Sequence, residues 1–481
     1  MNQMERSEQH APKYRQIVEY IKGKIANGEW PIGSKLPSQR KLAKAFEVNR
    51  STVITALEEL MADGLIEGKM GMGTVVVNNT WTLLATTPPP DWSEHVKSGV
   101  HKASQALVQE INEAESDPDL IQLSKGELSA DIFPVDTMRQ VMHRVADTIG
   151  VLGYEEPKGF LPLREALSDY LRTVGIHASP SSILIVSGAL QALQLISVGL
   201  LHRGSTVLLE QPSYIYSLRV FQSAGMKLSG LAIDEQGLVA ASIPGVKTQQ
   251  GRAILYAIPC FHNPTGILMS DKRRKELLGV CEAEQLPMIE DDIFRELWID
   301  EPPPAPIKAK DRNGHVLYLG SFSKTLSPGL RIGWVVGPEA VIERLSDIKM
   351  QTDYGSSSLS QRVAAEWLAS GLYEQHLANV RAQLKIRREI AVDMLERYFH
   401  DLAEWTVPKG GYFIWVRLLP KLSMRELYTK ARAAGILLNP GSMYEQETDR
   451  YMRISYGYAS LEDLKKGMVM LAHLIRDMTR G

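Results

Sequence analysis

From about residue 117 onward, short runs of aliphatic and β-branched residues alternate with helical patterns. The runs that we predict to be strands are 183–186, 206–209, 253–258, 288–290, 316–319 and 332–336. Such alternation is typical of a mostly parallel sheet with helices on both faces. Beyond about residue 345, helices and short strands are mixed. This predicts an α/β domain with a small C-terminal α+β lobe.

A different block precedes this region and spans residues 13–78. Three helices are predicted in it, the second capped by Ser38 and the third by Asn49. Two strand-like runs, 65–67 and 74–77, follow with a glycine-rich turn between them and predict a hairpin. Helices joined by a tight turn and followed by a hairpin describe a winged helix-turn-helix.

Length and turn chemistry divide the chain further. Two or three domains are expected for 481 residues. Residues 79–91 include a stiff, unpatterned Thr-Thr-Pro-Pro-Pro segment, which predicts a linker. We therefore expect a second domain over 92–481, opened by a helix running from Asp91 to Glu115.

Charge and cysteine content restrict the compartment and the partners. The net charge of −2 gives the whole chain no electrostatic case for binding a membrane or nucleic acid. Cys260 and Cys281 match no metal-ligand spacing and no disulfide framework, which suits a reducing compartment. Residues 1–12 lack the apolar core of a signal peptide, and the apolar run 193–201 is too short to span a bilayer. These features predict a cytoplasmic protein without a metal site or a membrane partner.

Residues suited to DNA stand at the starts of two predicted helices. Arg50, Ser51 and Thr52 open the third helix, where N-terminal side chains reach base edges in the major groove. The preceding helix opens with three residues that can fix a phosphate, Ser38, Gln39 and Arg40. The block carries ten basic and seven acidic residues, a balance of +3. The pattern alone also fits a small helical bundle with an ordinary solvated face.

The same block resembles the GntR-type winged helix-turn-helix of bacterial regulators. The resemblance rests on the stretches 36–43, 48–53, 64–66 and 71–74. It implies that the head, including Gly73 in the wing, binds a double-stranded DNA operator. Ile54 stands where the family usually has a second arginine, so part of the base readout lacks its usual side chain.

Polar residues at predicted strand ends supply the groups that pyridoxal phosphate (PLP) requires. Lys324 can form the Schiff base, Asp291 can hold the pyridine nitrogen, and Asn263 can donate to the phenolic oxygen. Tyr214 can stack on the ring. The phosphate can be held by a helix start, two hydroxyls and a cation, which are Ser187, Gly188 and Ala189, then Ser321 and Ser323, and Arg331.

Residues 117–475 resemble the fold-type I, aminotransferase class I/II superfamily. Stretch 321–334, around Lys324, is the most specific part, and stretch 153–164 also fits. The resemblance implies that Tyr154 reaches the phosphate of a neighbouring subunit, and therefore a homodimer with shared sites. It assigns Arg453 to a substrate α-carboxylate, although a surface or interdomain salt bridge is the alternative.

Two further positions bear on the substrate side of this site. We expect the loop 126–133, beginning at Gly126, to contribute to specificity. Phe294 stands where many relatives have a tyrosine that hydrogen-bonds the phenolic oxygen, which leaves Asn263 as the main partner of that oxygen. Such a bond helps to set the pKa of the cofactor imine.

A GntR-type head, a linker and an aminotransferase-like body in this order resemble the MocR subfamily of bacterial transcription regulators. The resemblance implies a PLP-dependent regulator that senses an amine, amino acid or vitamin B6 vitamer through an aldimine on Lys324. Two alternatives stay open from the sequence. One is a working aminotransferase acting on an amino acid, and the other is a ligand-binding regulator without PLP.

Overall fold

The computed structural model describes residues 12–69, 73–78, 92–99, 104–250, 252–445 and 449–480. These residues form two compact units, one within residues 1–102 and one within residues 103–481. The predicted linker and the tip of the predicted hairpin, residues 70–72, lie outside the described residues.

The N-terminal unit contains the three predicted helices and the predicted hairpin. The helices are α1 (Lys13–Ala26), α2 (Gln39–Ala45) and α3 (Arg50–Ala62), and the strands are β1 (Ile66–Lys69) and β2 (Gly73–Val76). The strands pair antiparallel, with Ile66 opposite Val76. Buried aliphatic residues from all three helices form the core of this unit: Ile17, Val18, Ile21, Ile25, Leu42, Val53, Leu57 and Leu60. The winged helix-turn-helix is therefore confirmed.

One helix prediction was wrong. The segment from Asp91 to Glu115 was expected to be continuous, but its described part contains two helices, α4 (Trp92–Ser98) and α5 (Ala106–Ala114). The backbone of Gln105, just before α5, is extended, with φ −56° and ψ 143°. An extended residue interrupts the helical hydrogen bonds, so the two helices are separate.

An eight-stranded sheet forms the centre of the second unit, in the order β4-β11-β10-β9-β8-β5-β6-β7. Its strands are β4 (Ile183–Val186), β5 (Thr206–Gln211), β6 (Lys227–Asp234), β7 (Gly237–Leu238), β8 (Ala253–Ala257), β9 (Met288–Asp291), β10 (Val316–Ser321) and β11 (Gly333–Val336). Strands β10, β9, β8, β5 and β6 pair in parallel, whereas β11 and β7 pair antiparallel with their neighbours. The six strands expected from the sequence are all present.

Strand β6 was not predicted from the sequence, and Gly230 at its middle explains why. Glycine usually weakens a strand. Here it makes room for the side chain of Gln211 on the neighbouring strand, because a Cβ at Gly230 would lie 1.8 Å from Gln211 Oε1. The close approach is a property of the assembled sheet and leaves no mark on the local pattern.

Helices cover the sheet and connect its strands. They are α6 (Val135–Thr148), α7 (Leu161–Thr173), α8 (Ala189–Gly199), α9 (Val220–Ser223), α10 (Ile243–Gln250), α11 (Asp271–Ala283), α12 (Glu339–Thr352), α13 (Ser358–Ala369) and α14 (Leu372–Tyr398). Buried aliphatic and aromatic side chains fill the spaces between helices and sheet. The predicted α/β fold class is confirmed.

The C-terminal part forms a smaller sheet in the order β12-β13-β16-β15. Its elements, with a separate short pair of β3 and β14, are β3 (Ile121–Gln122), β12 (Ala403–Trp405), β13 (Phe413–Leu418), α15 (Met424–Ala433), β14 (Ile436–Leu437), β15 (Asn439–Pro440), β16 (Tyr451–Ser455) and α16 (Leu461–Arg480). Among the described residues, every helix is too short or too polar to cross a membrane.

Candidate functional sites

All the predicted cofactor residues except Ser187 and Tyr154 line one cavity of about 420 Å³ in the second unit. The cavity lies at the carboxyl ends of the parallel strands, where open α/β sheets bind ligands. Asp291 ends β9, Ser321 ends β10, and Ser187 follows β4. Of the predicted cofactor and substrate residues, the cavity is lined by Gly126, Gly188, Ala189, Tyr214, Asn263, Asp291, Ser321, Ser323, Lys324, Arg331 and Arg453.

Lys324 projects into this cavity from the turn after β10. Its Nζ donates a hydrogen bond of 2.7 Å to the carbonyl oxygen of Gly126. Burial disfavours the ammonium and lowers the pKa of Lys324 to about 8. A larger share of this amine is therefore neutral and nucleophilic near pH 7 than of an exposed lysine.

Asp291 is buried, and its two carboxylate oxygens have different surroundings. Tyr256 donates to Oδ2 from its hydroxyl at 2.6 Å. Oδ1 is buried without a hydrogen-bond partner among the described residues. Burial raises the pKa of Asp291 to about 6, and the hydroxyl of Tyr256 and the nearby backbone N–H of Ile293 oppose that rise. The free oxygen is placed to accept from a cationic N–H in the cavity.

At the other end of the cavity, Gly188 and Arg331 are in close contact. Gly188 has φ +92° and precedes α8, and a Cβ on it would lie 2.7 Å from Arg331 Nη2. That nitrogen donates to the carbonyl oxygen of Ser187 at 2.7 Å. The hydroxyls of Ser321 and Ser323 lie 3.0 Å apart nearby in the same lining. A helix start, a guanidinium and hydroxyls together suit a phosphate.

Asn263 is hydrogen-bonded both to Tyr214, the predicted stacking residue, and to Arg453, the predicted binder of a carboxylate. Its carbonyl oxygen accepts from the backbone N–H of Tyr214 at 3.1 Å. Its amide oxygen accepts from Arg453 Nη1 at 2.9 Å, so the amide NH₂ is the group left to donate. Arg453 also donates to the carbonyl oxygen of Ser124 and lies over the Phe413 ring, 3.9 Å from its centroid. Arg453 is thus held at the cavity wall.

Phe294 lacks the hydroxyl that a tyrosine would have there, and its side chain packs against aromatic rings. Phe294 is buried, with its ring centroid 5.7 Å from that of Tyr412 and 5.9 Å from that of Phe413. The Tyr412 hydroxyl donates to Gly126 O at 2.8 Å. Gly126 O therefore accepts from Tyr412 and Lys324 together.

Tyr154 does not line this cavity. Its side chain is 82 % exposed and contacts the ring of Tyr354, which is also exposed, at a centroid distance of 4.8 Å. Val151 and Leu152 beside it are exposed too. Within one chain, Tyr154 is therefore separate from the other predicted site residues.

The residues present fit PLP by two observations made on the protein alone. The unpartnered Oδ1 of Asp291 matches a protonated pyridine nitrogen, and the Gly188–Arg331 contact forms a narrow anion cradle. The cavity volume also lies within the roughly 300–1,000 Å³ of small-molecule sites.

Sequence reasoning missed several residues of this site. Tyr256 lies within a predicted strand and has no motif around it, yet it holds Asp291 from a neighbouring strand. The hydroxyl of Ser356, another residue without a motif, lies 3.1 Å from that of Ser187. Glu115 also lines the cavity, as does Glu127, which lies in the loop 126–133 that was expected to contribute to specificity. Nothing in the local sequence around Tyr256, Ser356 and Glu115 distinguishes them from ordinary strand, turn or surface residues.

In the head, the predicted DNA-binding residues lie at the starts of α2 and α3. The Ser38 hydroxyl accepts from the N–H of Lys41 at 3.3 Å, as expected of an N-cap. Asn49 occupies the N-cap position of α3, but its side chain makes no capping hydrogen bond. Arg40, Arg50 and Ser51 are exposed.

Two of these residues contact each other across the turn between the helices. Arg50 Nε donates to Gln39 Oε1 at 2.8 Å. This bond limits the directions in which the guanidinium can point. In the wing, Gly73 has φ +88° and packs against Lys35, since a Cβ there would lie 3.2 Å from Lys35 Cε.

Comparison with known proteins agrees with both units. Residues 118–469 match the family model "Aminotransferase class I and II", and residues 13–76 match "Bacterial regulatory proteins, gntR family". The chain is 68% identical over 467 residues to the uncharacterized HTH-type transcriptional regulator YdfD of Bacillus subtilis strain 168, covering 97% of each chain. This chain belongs to the HTH-type transcriptional regulators that carry an aminotransferase class I and II domain. The order of its domains fits the MocR-type architecture.

A less similar regulator and a solved aminotransferase structure also match this chain. The HTH-type transcriptional regulator NorG of Staphylococcus aureus strain N315 is 36% identical over 437 residues, covering 90% of this chain and 98% of NorG. Among solved structures, LysN, the alpha-aminoadipate aminotransferase of Thermus thermophilus, is similar with a TM-score of 0.74 and 28% identity. The match covers 81% of this chain and 99% of LysN, which was solved with N-(5'-phosphopyridoxyl)-L-leucine.

Proposed function

We propose that this regulator binds operator DNA through its head and senses an amine or amino acid through PLP held in the cavity of its second unit. The observation that carries the proposal is the buried, unpartnered Oδ1 of Asp291 in the cavity that also contains Lys324. A buried carboxylate oxygen without a donor is costly in a folded protein, so a ligand N–H is the natural partner.

The residues that would hold the cofactor follow from their positions in the cavity, except Ser187, which does not line it but accepts a hydrogen bond from Arg331. Ser187, Gly188, Ala189, Ser321, Ser323 and Arg331 would hold its phosphate, with Tyr214 against the ring and Asn263 and Asp291 at the ring's polar atoms. When bound, PLP supplies an aldehyde that forms a Schiff base with a primary amine, here that of Lys324 or of the effector.

Three properties of the chain would turn that chemistry into sensing. The lowered pKa of Lys324 leaves part of its amine neutral and able to accept a proton. Arg453, fixed by Asn263 and Ser124, would bind a carboxylate of the effector. Movement of the small lobe that carries Arg453 would then bias the heads through the linker 79–91.

The proposal includes a homodimer. The exposed Tyr154, with Val151, Leu152 and Tyr354 around it, forms an aromatic and aliphatic surface of the kind that a second copy covers. Mixing Lys324→Ala chains with Tyr154→Phe chains tests whether sites are shared. A mixed dimer has one site with both residues intact, so tight PLP binding should return to half of the sites. No recovery over either variant alone contradicts shared sites.

The central experiment uses the full-length protein in the reducing, cytoplasmic conditions that its free cysteines suit. Wild type reconstituted with PLP should show the visible absorbance of lysine-bound cofactor and should shift DNA taken from upstream of its own gene. Lys324→Ala should lose the absorbance and keep its fold. Lys158→Ala is the control, because Lys158 pairs with Glu343 at 3.6 Å and does not line the cavity. An absorbance that persists in Lys324→Ala overturns the assignment, and a colourless wild type favours a regulator without PLP.

The second candidate function is aminotransfer. It is favoured by the presence of an amine with a pKa of about 8, an acid at the ring and an arginine for a carboxylate in one cavity. Half-transamination with a panel of amino acids tests it. Conversion of the bound cofactor by an amino acid, with no gel shift on any upstream DNA, supports the enzyme over the regulator.

A further inference from the structure

The charged groups that line the cavity divide into those with a role toward PLP or a carboxylate and those without one. Arg331, Asp291 and Lys324 face the cofactor in the proposal above, and Arg453 faces a carboxylate. Two charged residues of the lining are left, Glu115 and Glu127, and both are acidic. The lining therefore carries two carboxylates that neither PLP nor a carboxylate of the effector would use.

Glu115 stands where a negative charge is unfavourable for the helix. It is the C-cap of α5, whose C-terminus carries the negative end of the helix dipole. Its carboxylate makes no hydrogen bond or ion pair with any residue that the structure describes, and burial raises the pKa of Glu115. A carboxylate that lines the cavity without a hydrogen-bond partner among the described residues attracts a cation.

Glu127 adds to this environment from the loop that follows Gly126, whose carbonyl oxygen holds Lys324. Its partner Lys125 lies 3.9 Å away, at the limit of an ion pair, and the Lys125 ammonium also lies over the Tyr458 ring at 4.3 Å. The charges of Glu115 and Glu127 both act on Lys324, and those of Arg453 and Lys125 act on Glu115. Both carboxylates share the cavity lining with Lys324 and Arg453, the two groups that would hold an amino acid.

We propose that the effector is a cationic amino acid, one whose side chain ends in an amine or guanidinium that Glu115 binds. This rests on the proposed function and narrows its effector class. The α-amine would meet the cofactor at Lys324, the α-carboxylate would meet Arg453, and the side-chain cation would meet the carboxylate of Glu115. Glu115 is then the residue that sets specificity.

The test compares matched amino acids on the full-length, PLP-loaded protein by absorbance titration. L-lysine is compared with L-norleucine, and L-ornithine with L-norvaline, so that each pair differs in the terminal amine. Of L-lysine and L-ornithine, we expect the one that binds more tightly to bind roughly tenfold or more tightly than its uncharged counterpart. This is the gain that a charge-assisted hydrogen bond gives. Equal affinity within both pairs overturns the proposal, and this comparison needs no variant to fold.

Variants then assign the effect to one residue. Glu115→Gln should reduce binding of the cationic amino acid roughly tenfold and leave the neutral match nearly unchanged. Glu113→Gln is the control, because Glu113 is exposed on the same helix and does not line the cavity. If Glu115→Gln weakens binding of the cationic and the neutral amino acid equally, Glu115 only offsets the charge of Arg453 and the proposal is wrong. Glu115→Lys should turn the preference toward acidic amino acids.

Failure of this inference can be told apart from failure of the proposed function. If no amino acid changes the absorbance of the loaded protein, amine sensing itself falls. If neutral amino acids change it as strongly as cationic ones, sensing stands and the cationic class is overturned.

Discussion

The hydroxyl of Tyr256 donates to Asp291 Oδ2 at 2.6 Å and leaves Oδ1, on the same carboxylate, without a partner among the described residues. The bond fixes the carboxylate and favours its ionised form, which opposes the effect of burial. Tyr256 is therefore a positioning residue for the acid that we expect at the cofactor ring.

Replacing Tyr256 by Phe should raise the pKa of Asp291 above its present value of about 6, because the stabilising donor is lost. More of the carboxyl is then neutral near pH 6.5, and a neutral carboxyl holds a protonated ring nitrogen less strongly. We expect PLP affinity to fall roughly threefold to tenfold at that pH and to recover toward about pH 8. Absorbance titration with PLP measures it.

The control for this change is Tyr456→Phe. This variant also loses a buried tyrosine hydrogen bond, the one that the Tyr456 hydroxyl donates to Gly411 O at 2.8 Å, but Tyr456 does not line the cavity. A loss of PLP affinity that is the same at both pH values, or the same in both variants, contradicts the role of Tyr256.

Gly188→Ala should impair the anion cradle. The added Cβ would lie 2.7 Å from Arg331 Nη2, so the guanidinium must move away from Ser187. We expect affinity for PLP, and for inorganic phosphate as a competitor, to fall roughly tenfold or more. Gly204→Ala also places alanine at a positive φ, +85°, but has nothing within 4 Å of its Cβ. Equal losses in the two variants would show that strain alone is responsible.

Glu210 predicts a specific pH dependence of stability. Burial raises the pKa of this carboxyl from 4.5 to about 8, so the folded state holds the proton more tightly than the unfolded state. The free energy of unfolding should therefore fall as pH rises from about 4.5 to about 8. Glu210→Gln removes this titration while an amide oxygen can still accept from Ile258 N–H.

Urea unfolding of both proteins at about pH 5 and about pH 8.5 measures the difference. The wild type should lose about 2–4 kcal/mol more than Glu210→Gln over this range. Glu290 and Asp291 also have raised pKa values and contribute to both proteins. The charge of Asp291 helps to raise the pKa of Glu210, so the difference reports Glu210 together with its coupling to Asp291. Parallel pH profiles would contradict the assignment.

In the head, Arg50→Ala should reduce affinity for the operator roughly tenfold to hundredfold and reduce affinity for unrelated DNA far less. An arginine at the start of a recognition helix reads base edges, whereas phosphate contacts are independent of sequence. Lys24→Ala is the control, because Lys24 is already paired with Glu29. Titration of labelled operator and unrelated DNA at one salt concentration checks the result.

Gln39→Leu should have a smaller effect of the same kind. It removes the 2.8 Å hydrogen bond that orients Arg50 and leaves the guanidinium in place. We expect the ratio of specific to non-specific affinity to fall roughly threefold, because the free arginine samples more directions. An unchanged ratio would mean that the DNA itself orients Arg50.

The sequence by itself determined the fold class, the winged helix-turn-helix and most of the residues that meet in the cavity. Strand and helix patterns depend on neighbours within a few residues, so they can be read locally. The stretch around Lys324 carries its turn, hydroxyls and cation in one short segment. Tyr154, which the resemblance assigned to the site of a neighbouring subunit, is exposed and does not line the cavity of its own chain.

Only the tertiary structure decided which side chains pair across elements. Tyr256 with Asp291, Gln39 with Arg50, and Gly230 with Gln211 are contacts between different strands or helices. The break at Gln105, before α5, was also invisible in the pattern. Such contacts depend on register and packing, which are set by the whole assembled core and leave no signal in the residues next to them.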